Sequence, residues 1–268
     1  MMEQSNNIYR IGQIVPSSNV TMETEIPAML RRREAILPDR FSFHSSRMRM
    51  QKVTREELAN MDAQSLRCAA ELADGRMDVM GYACLVAIMS AGNGYHRTSE
   101  VNLTRAAEEA GGPCPVVTSA GALVSGLKLL GAKRVALVMP YVKPLADLVQ
   151  GYIEAEGIEV VDRITLEIED NLAVGRRDPL APAEIAAKLD VGRADVVVAS
   201  ACVQMPSLGS IPLIEHALNR PTISAASCTA YGMLTALGLQ PVIPNTGCFL
   251  SGQTEFEATG PALAGGAA

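Results

Sequence analysis

The chain has 268 residues, 48% hydrophobic and 19% charged, with 23 basic against 29 acidic side chains and a formal net charge of −6. That length suits two compact α/β lobes or one large one, the composition excludes a disordered chain, and an acidic balance without a Lys/Arg-rich, aromatic-interleaved face argues against a nucleic-acid partner. The start from Met1 to Arg10 is polar where an export signal needs a basic and then an apolar region, and no apolar run reaches the roughly 18 residues that cross a bilayer, so a cytoplasmic protein without membrane contact is expected.

Short runs rich in Val, Ile and small residues end in turn residues and precede stretches of helical period, the βα alternation of a parallel sheet. In chain order the predicted elements begin with a strand at Tyr9 to Val15, a helix at Asn19 to Arg33, a strand at Arg40 to Met48 and a helix at Thr54 to Gly75. The run Arg31-Arg32-Arg33-Glu34 reads as a solvated helix end whose cations suit the macrodipole, and Thr54 with Glu57 reads as a reciprocal capping box. Next come a strand at Asp78 to Cys84, a turn at Gly92-Asn93-Gly94, a helix at Ser99 to Ala110, a strand at Pro115 to Thr118 and a helix at Ser119 to Leu130. The remainder reads as strands at Arg134 to Met139, Glu159 to Leu166, Asp195 to Cys202 and Pro221 to Ala225, with helices at Lys143 to Glu156, Pro182 to Leu189, Ser210 to Leu218 and Ala226 to Leu237. The fold class is α/β, with strands enough for two four-stranded parallel sheets. No G-x-G-x-x-G follows the first strand and no Walker loop or G-x-S-x-G elbow occurs, so no nucleotide cofactor is expected.

Three segments recur in order. Arg10 to Pro16 resembles Arg134 to Pro140, Asp78 to Cys84 resembles Asp195 to Cys202 with one inserted residue, and Pro115 to Gly121 resembles Pro221 to Ser227. Duplication followed by small insertions and deletions accounts for this, and predicts two lobes related by a pseudo-two-fold axis: residues 1–118 with 226–268, and residues 119–225. Ligand crevices in parallel sheets open at the carboxyl ends of strands, so Cys84 and Cys202, which close matched strands, are expected to face each other across the cleft between lobes.

The six cysteines stand at irregular spacings with no C-x-x-C, and His44, His96 and His216 are far apart, so neither disulfides nor a metal site is expected. Cys68, Cys114, Cys228 and Cys248 are expected to pack as small hydrophobes. Cys84 and Cys202 differ because the repeat places both at equivalent strand ends, where backbone N–H groups can stabilise a thiolate as nucleophile or proton carrier. Asn19, after Pro16-Ser17-Ser18, is either a donor to a carboxylate or a helix cap, and Tyr141 follows Pro140 at the matched place in the second half.

The segments Val15-Pro16-Ser17-Ser18-Asn19, Tyr82-Ala83-Cys84-Leu85-Val86, Val138-Met139-Pro140-Tyr141, Asp170-Asn171 and Ser200-Ala201-Cys202-Val203-Gln204-Met205-Pro206 together resemble the maleate cis-trans isomerases of the aspartate/glutamate racemase superfamily. The likeness extends to about Gly252. Racemases of that superfamily carry Cys-Asn-Thr and Cys-Thr at the two thiols, whereas Leu85-Val86 and Val203-Gln204 follow them here, and arylmalonate decarboxylases keep only the second cysteine. The resemblance implies cofactor-free isomerisation of maleate to fumarate, with Cys84 as nucleophile and Cys202 as acid and base. It further implies Asn19, Tyr141 and Asn171 as side-chain donors to a small dicarboxylate, with Val86 and Val203 excluding water beside backbone donors. A homodimer and a place in the breakdown of aromatic or N-heteroaromatic compounds follow from the same likeness. The alternatives are a two-thiol racemase or epimerase, and a dicarboxylate-binding protein without turnover.

Overall fold

The computed structural model describes residues 8–51 and 53–252, so most of the polar start lies outside the described residues. Strands β1 (Ile8–Pro16), β2 (Arg40–Met48), β3 (Val79–Tyr82) and β4 (Val116–Thr118) form one parallel sheet in the order β2-β1-β3-β4. Strands β5 (Arg134–Met139), β6 (Glu159–Thr165), β7 (Val196–Ser200) and β8 (Thr222–Ser224) form a second in the order β6-β5-β7-β8. The inner strands β3 and β7 are buried along their whole length, which is why Val79 to Tyr82 and Val196 to Ser200 are continuous apolar and small runs rather than alternating ones.

The sequence repeat is a repeat of hydrogen bonds. Asp78 N–H donates to the Arg10 carbonyl at 2.9 Å while its carboxylate takes the Arg10 N–H at 2.6 Å; Asp195 and Arg134 repeat both bonds at 2.8 and 2.9 Å. Ala83 N–H to Ile14 C=O in the first sheet matches Ala201 N–H to Val138 C=O in the second, both at 3.0 Å. The residue inserted in the second copy appears as a bulge: Tyr82 pairs with Thr118 without interruption, whereas between Val198 and Ser200 the register to β8 shifts. A bulge absorbs one extra residue without disturbing the strand end, so Cys84 and Cys202 keep equivalent positions.

The helices are α1 (Met22–Glu34), α2 (Arg55–Asp74), α3 (Leu85–Ser90), α4 (Tyr95–Glu109), α5 (Ser119–Leu129), α6 (Lys143–Ala155), α7 (Asn171–Gly175), α8 (Ala181–Ala186), α9 (Ile211–Leu218) and α10 (Ala225–Ala236). Helix α10 packs against α5, α1, β3 and β4 as well as β8. No helix among the described residues is long and apolar enough to cross a membrane.

Four expectations change. Helices α3 and α7 stand where none is expected, and α4 starts at Tyr95 rather than Ser99 because Gly94, at φ 73°, turns the chain into it without a side-chain cap. Thr54 Oγ1 accepts the Glu57 N–H, but the Glu57 carboxylate reaches the Gln51 N–H; the reciprocal capping box is formed instead by Ser224 and Ser227 at the start of α10. The Arg31 to Arg33 helix end is not wholly solvated: Arg33 is buried, donating to the Gln240 and Val242 carbonyls and pairing with Asp39 at 2.6 Å. Its planar fork of donors satisfies two carbonyls of the C-terminal segment and one carboxylate together, which an exposed cation would not do.

Candidate active site

The carboxyl ends of the two sheets meet. Cys84 lies two residues beyond β3, Cys202 two beyond β7, and Tyr141 two beyond β5, while Asn19 follows β1. All seven predicted site residues, Asn19, Cys84, Val86, Tyr141, Asn171, Cys202 and Val203, line one cavity, together with Pro16, Met50, Val53, Ala83, Leu85 and Gln204. Its free room is about 20 Å³, close to what a single water needs. A cleft of about 640 Å³, walled by Gln51, Thr54, Val142, Leu145, Glu169 and Val174 among others, adjoins it and shares Val53, Tyr141 and Asn171.

Cys84 is the N-cap residue of α3, with the Ala87 N–H on the side of its sulfur. Burial pushes the Cys84 thiol up to about 12; the Ala87 N–H opposes the rise, and the negative charges of Cys202 and Asp62 add to it. Burial also raises Cys202, but there three donors oppose it: the Tyr141 hydroxyl and the N–H groups of Gln204 and Met205. Hydrogen bonds to the charged form favour that form, so the two thiols, symmetric in the chain, differ in their surroundings. Beneath Cys84, Asp62 of α2 accepts the hydroxyls of Tyr82 and Tyr95, both at 2.9 Å, tying α2 and α4 to the strand that carries the thiol.

Asn19 is both cap and candidate donor. Its Oδ1 accepts the N–H groups of Thr21 and Met22 at 3.0 and 3.1 Å, which fixes the amide plane, and its nitrogen has no hydrogen bond to another described residue. The loop is held from outside by Arg47, which donates to the Ser17 and Asn19 carbonyls and pairs with Glu23 at 2.6 Å. Asn171 opens α7 behind its cap Asp170, and its Nδ2 donates to Ser18 Oγ at 2.8 Å, joining it to the Asn19 loop. Val86 and Val203 are buried against the thiols. Cys68, Cys114 and Cys228 are buried and Cys248 is half-buried, all as free thiols away from this cavity.

Read from sequence, Gln204 appears only within the segment after Cys202 and carries no role. It is an isolated amide in the run Ala201-Cys202-Val203-Gln204-Met205, and a lone polar residue inside an apolar loop is a signal that it must find partners when buried. Its carboxamide bonds to Ser18, Val20 and Asn171.

The family model described as arylmalonate decarboxylase matches residues 11–250, spanning both sheets. A maleate isomerase of Pseudomonas putida is 58% identical over 245 residues, covering 91% of this chain and 98% of that protein. Among solved structures, a variant of the maleate isomerase Iso from Pseudomonas putida S16, determined with maleate, superimposes with a TM-score of 0.90 at 57% identity, covering 92% of this chain and 98% of that one. The maleate cis-trans isomerase of Nocardia farcinica, in a mutant with a covalently bound succinylcysteine intermediate, gives a TM-score of 0.87 at 45% identity over 91% of this chain and 98% of that one. With two thiols at matched strand ends, one cavity gathering every expected side chain, and identity of this degree along almost its whole length, the chain belongs to the maleate isomerase family.

Proposed function

We propose that this protein isomerises maleate to fumarate without a cofactor, through covalent addition of Cys84 and proton transfer by Cys202. The observation that carries the reading is that both thiols line one cavity with Asn19, Tyr141 and Asn171; the donors around Cys202 support giving it the charge that the addition leaves behind. Rotation about C=C requires that it become single. With one proton shared by the pair, the donors around Cys202 favour its resting on Cys84; it passes to the Cys202 sulfur, and the Cys84 lone pair so freed forms a C–S bond to one alkene carbon. The π pair takes the Cys202 proton onto the other carbon, and the S–H electrons stay on Cys202. The negative charge thus moves from Cys84 to Cys202, where Tyr141, Gln204 and Met205 hold it by preorganised donors. After rotation the Cys202 thiolate removes a proton, the C–H pair rebuilds the double bond, and the C–S pair leaves with Cys84. No atom or electron is left over.

In this reading Asn19, Tyr141 and Asn171 orient the two carboxylates, and Val86 and Val203 keep out the water that would hydrate the alkene. The succinylcysteine carried by the Nocardia farcinica relative is the adduct this step forms. Residues 1–118 with 226–268 and residues 119–225 serve as two lobes, and the protein acts in the cytoplasm as a homodimer that processes maleate released from aromatic or N-heteroaromatic rings.

Proton NMR of the protein with maleate is the test. Fumarate signals are expected from the parent and not from Cys84→Ser or Cys202→Ser; a parent with intact thiols and no conversion would overturn the activity. Intact mass of Cys202→Ala with maleate is expected to carry a mass increment on Cys84, and an increment on Cys202 in Cys84→Ala alone would reverse the roles.

A further inference from the structure

Gln204 is 3% exposed and sits in the loop two residues past Cys202. Its side-chain oxygen accepts the Val20 N–H at 2.9 Å, and its Nε2 donates to the Ser18 carbonyl at 2.9 Å and the Asn171 carbonyl at 2.8 Å. Ser18 and Val20 bracket Asn19, so one carboxamide grips the chain on both sides of one asparagine and the backbone of the other. Its own carbonyl accepts the Thr21 hydroxyl at 2.7 Å, and its N–H is among the donors to Cys202. The rest of the loop is fixed to α1 by Glu25, whose Oε1 takes the N–H groups of Ser207 and Leu208, each at 2.7 Å.

Gly175, the last residue of α7, leaves room for this arrangement: a Cβ there would lie 2.6 Å from Gln204 Nε2 and 3.0 Å from its Cδ. Among the described residues, apart from Asn171 Nδ2 to Ser18 Oγ, the contacts of Gln204 are the hydrogen bonds that join the Asn19 loop of the first sheet to the Asn171 and Cys202 segments of the second. Both amide hydrogens are committed, and a buried amide that loses its partners is costly, so the carboxamide has one stable setting.

We infer that Gln204 is the positioning residue of this site: through Ser18, Val20 and Asn171 it sets the separation of the two asparagines. The inference rests on the proposed function, in which those asparagines hold the carboxylates. A small displacement of a binding group far exceeds in cost what its burial suggests, because the reacting geometry is lost with it.

Steady-state kinetics of the full-length protein test this. Gln204→Met keeps the volume and removes the three side-chain bonds; KM for maleate is expected to rise by about tenfold to a hundredfold, while alkylation of Cys84 by iodoacetamide keeps the parent rate. Gln204→Glu supplies a reading independent of folding yield. As a neutral acid it accepts from Val20 and donates to one carbonyl, but as a carboxylate it faces two carbonyls with no hydrogen. The ratio of its kcat/KM to that of the parent is therefore expected to climb as pH falls from about 8 to about 5. Gly175→Ala is expected to raise KM with Gln204 still in place. Gln204→Met with an unchanged KM and a lower kcat, together with a flat ratio for Gln204→Glu, would reduce the residue to packing and overturn the inference. Absence of turnover in the parent would overturn the function itself, and the inference with it.

Discussion

The Tyr141 hydroxyl serves two acceptors at the end of one strand, lying 3.2 Å from the Ala201 carbonyl and within hydrogen-bonding reach of the Cys202 sulfur. A phenol has one hydrogen: here it donates to the carbonyl, and a thiolate at Cys202 would compete for it. Burial, reinforced by the charge of Cys202, holds the phenol well above its ordinary titration range, so it remains a donor throughout. Tyr141→Phe is expected to lower kcat by about tenfold to a hundredfold at little cost in thermal stability, read by NMR turnover beside a melting curve. An unchanged kcat would show that Tyr141 supplies no charge stabilisation.

Cys84 titrates late. Its folded pKa of about 12 means that its thiolate fraction grows with pH across the whole working range, at about tenfold per pH unit, whereas an ordinary cysteine levels off above about 8.5. Iodoacetamide labelling of Cys84, followed by peptide mass spectrometry between about pH 7 and about pH 10, is expected to accelerate without a plateau. The kcat/KM of the free enzyme is expected to climb over the same range, reporting the pair rather than either thiol. A plateau near the ordinary value would mean that the N–H of Ala87 outweighs burial.

Glu25 couples stability to pH. Burial raises its carboxyl above the ordinary range, against the opposing N–H groups of Leu208 and Ser207 and the charge of Arg32, and one of its oxygens has no partner among the described residues. The folded state therefore binds this proton more tightly than the unfolded state. The stabilisation is complete below the unfolded value and is lost as pH rises through the folded one. Glu25→Gln keeps an oxygen for both N–H groups and cannot ionise. Its melting temperature is expected to match that of the parent at low pH and to exceed it by a few degrees near pH 8; a difference independent of pH would contradict the account.

All eight strands and their division into two sheets were legible because β3, β5 and β7 carry unbroken apolar runs and because the Arg10/Asp78 and Arg134/Asp195 pairs recur with their segments. The placement of Cys84 and Cys202 at matched strand ends was legible through that same recurrence. Helix α3 was not legible: Leu85 to Met89 is buried on every side, so no polar face marks a helical period. Helix α7 is a little over one turn and ends in a glycine demanded by Gln204 rather than by the helix itself. Arg33 misled because a cation at a helix end is usually solvated, and its carbonyl partners lie more than 200 residues away in the chain. Gln204 shares this cause, since its partners belong to two segments distant in the chain, the Asn19 loop and the start of α7.

Helix α10 lies against β3 and β4, strands completed more than a hundred residues earlier in synthesis. The sheet made first is therefore closed by the last α-helix among the described residues. As the polypeptide leaves the ribosome, Gly81 and Val117 meet their neighbours on α10, Met233 and Gly232, only after β8 has emerged. A chain cut after β8 would accordingly lose part of the wall of its oldest sheet rather than a tail, and the strand that leads to Cys84 would keep only Met22 of α1 beside Gly81 on that face although every residue of it had been made.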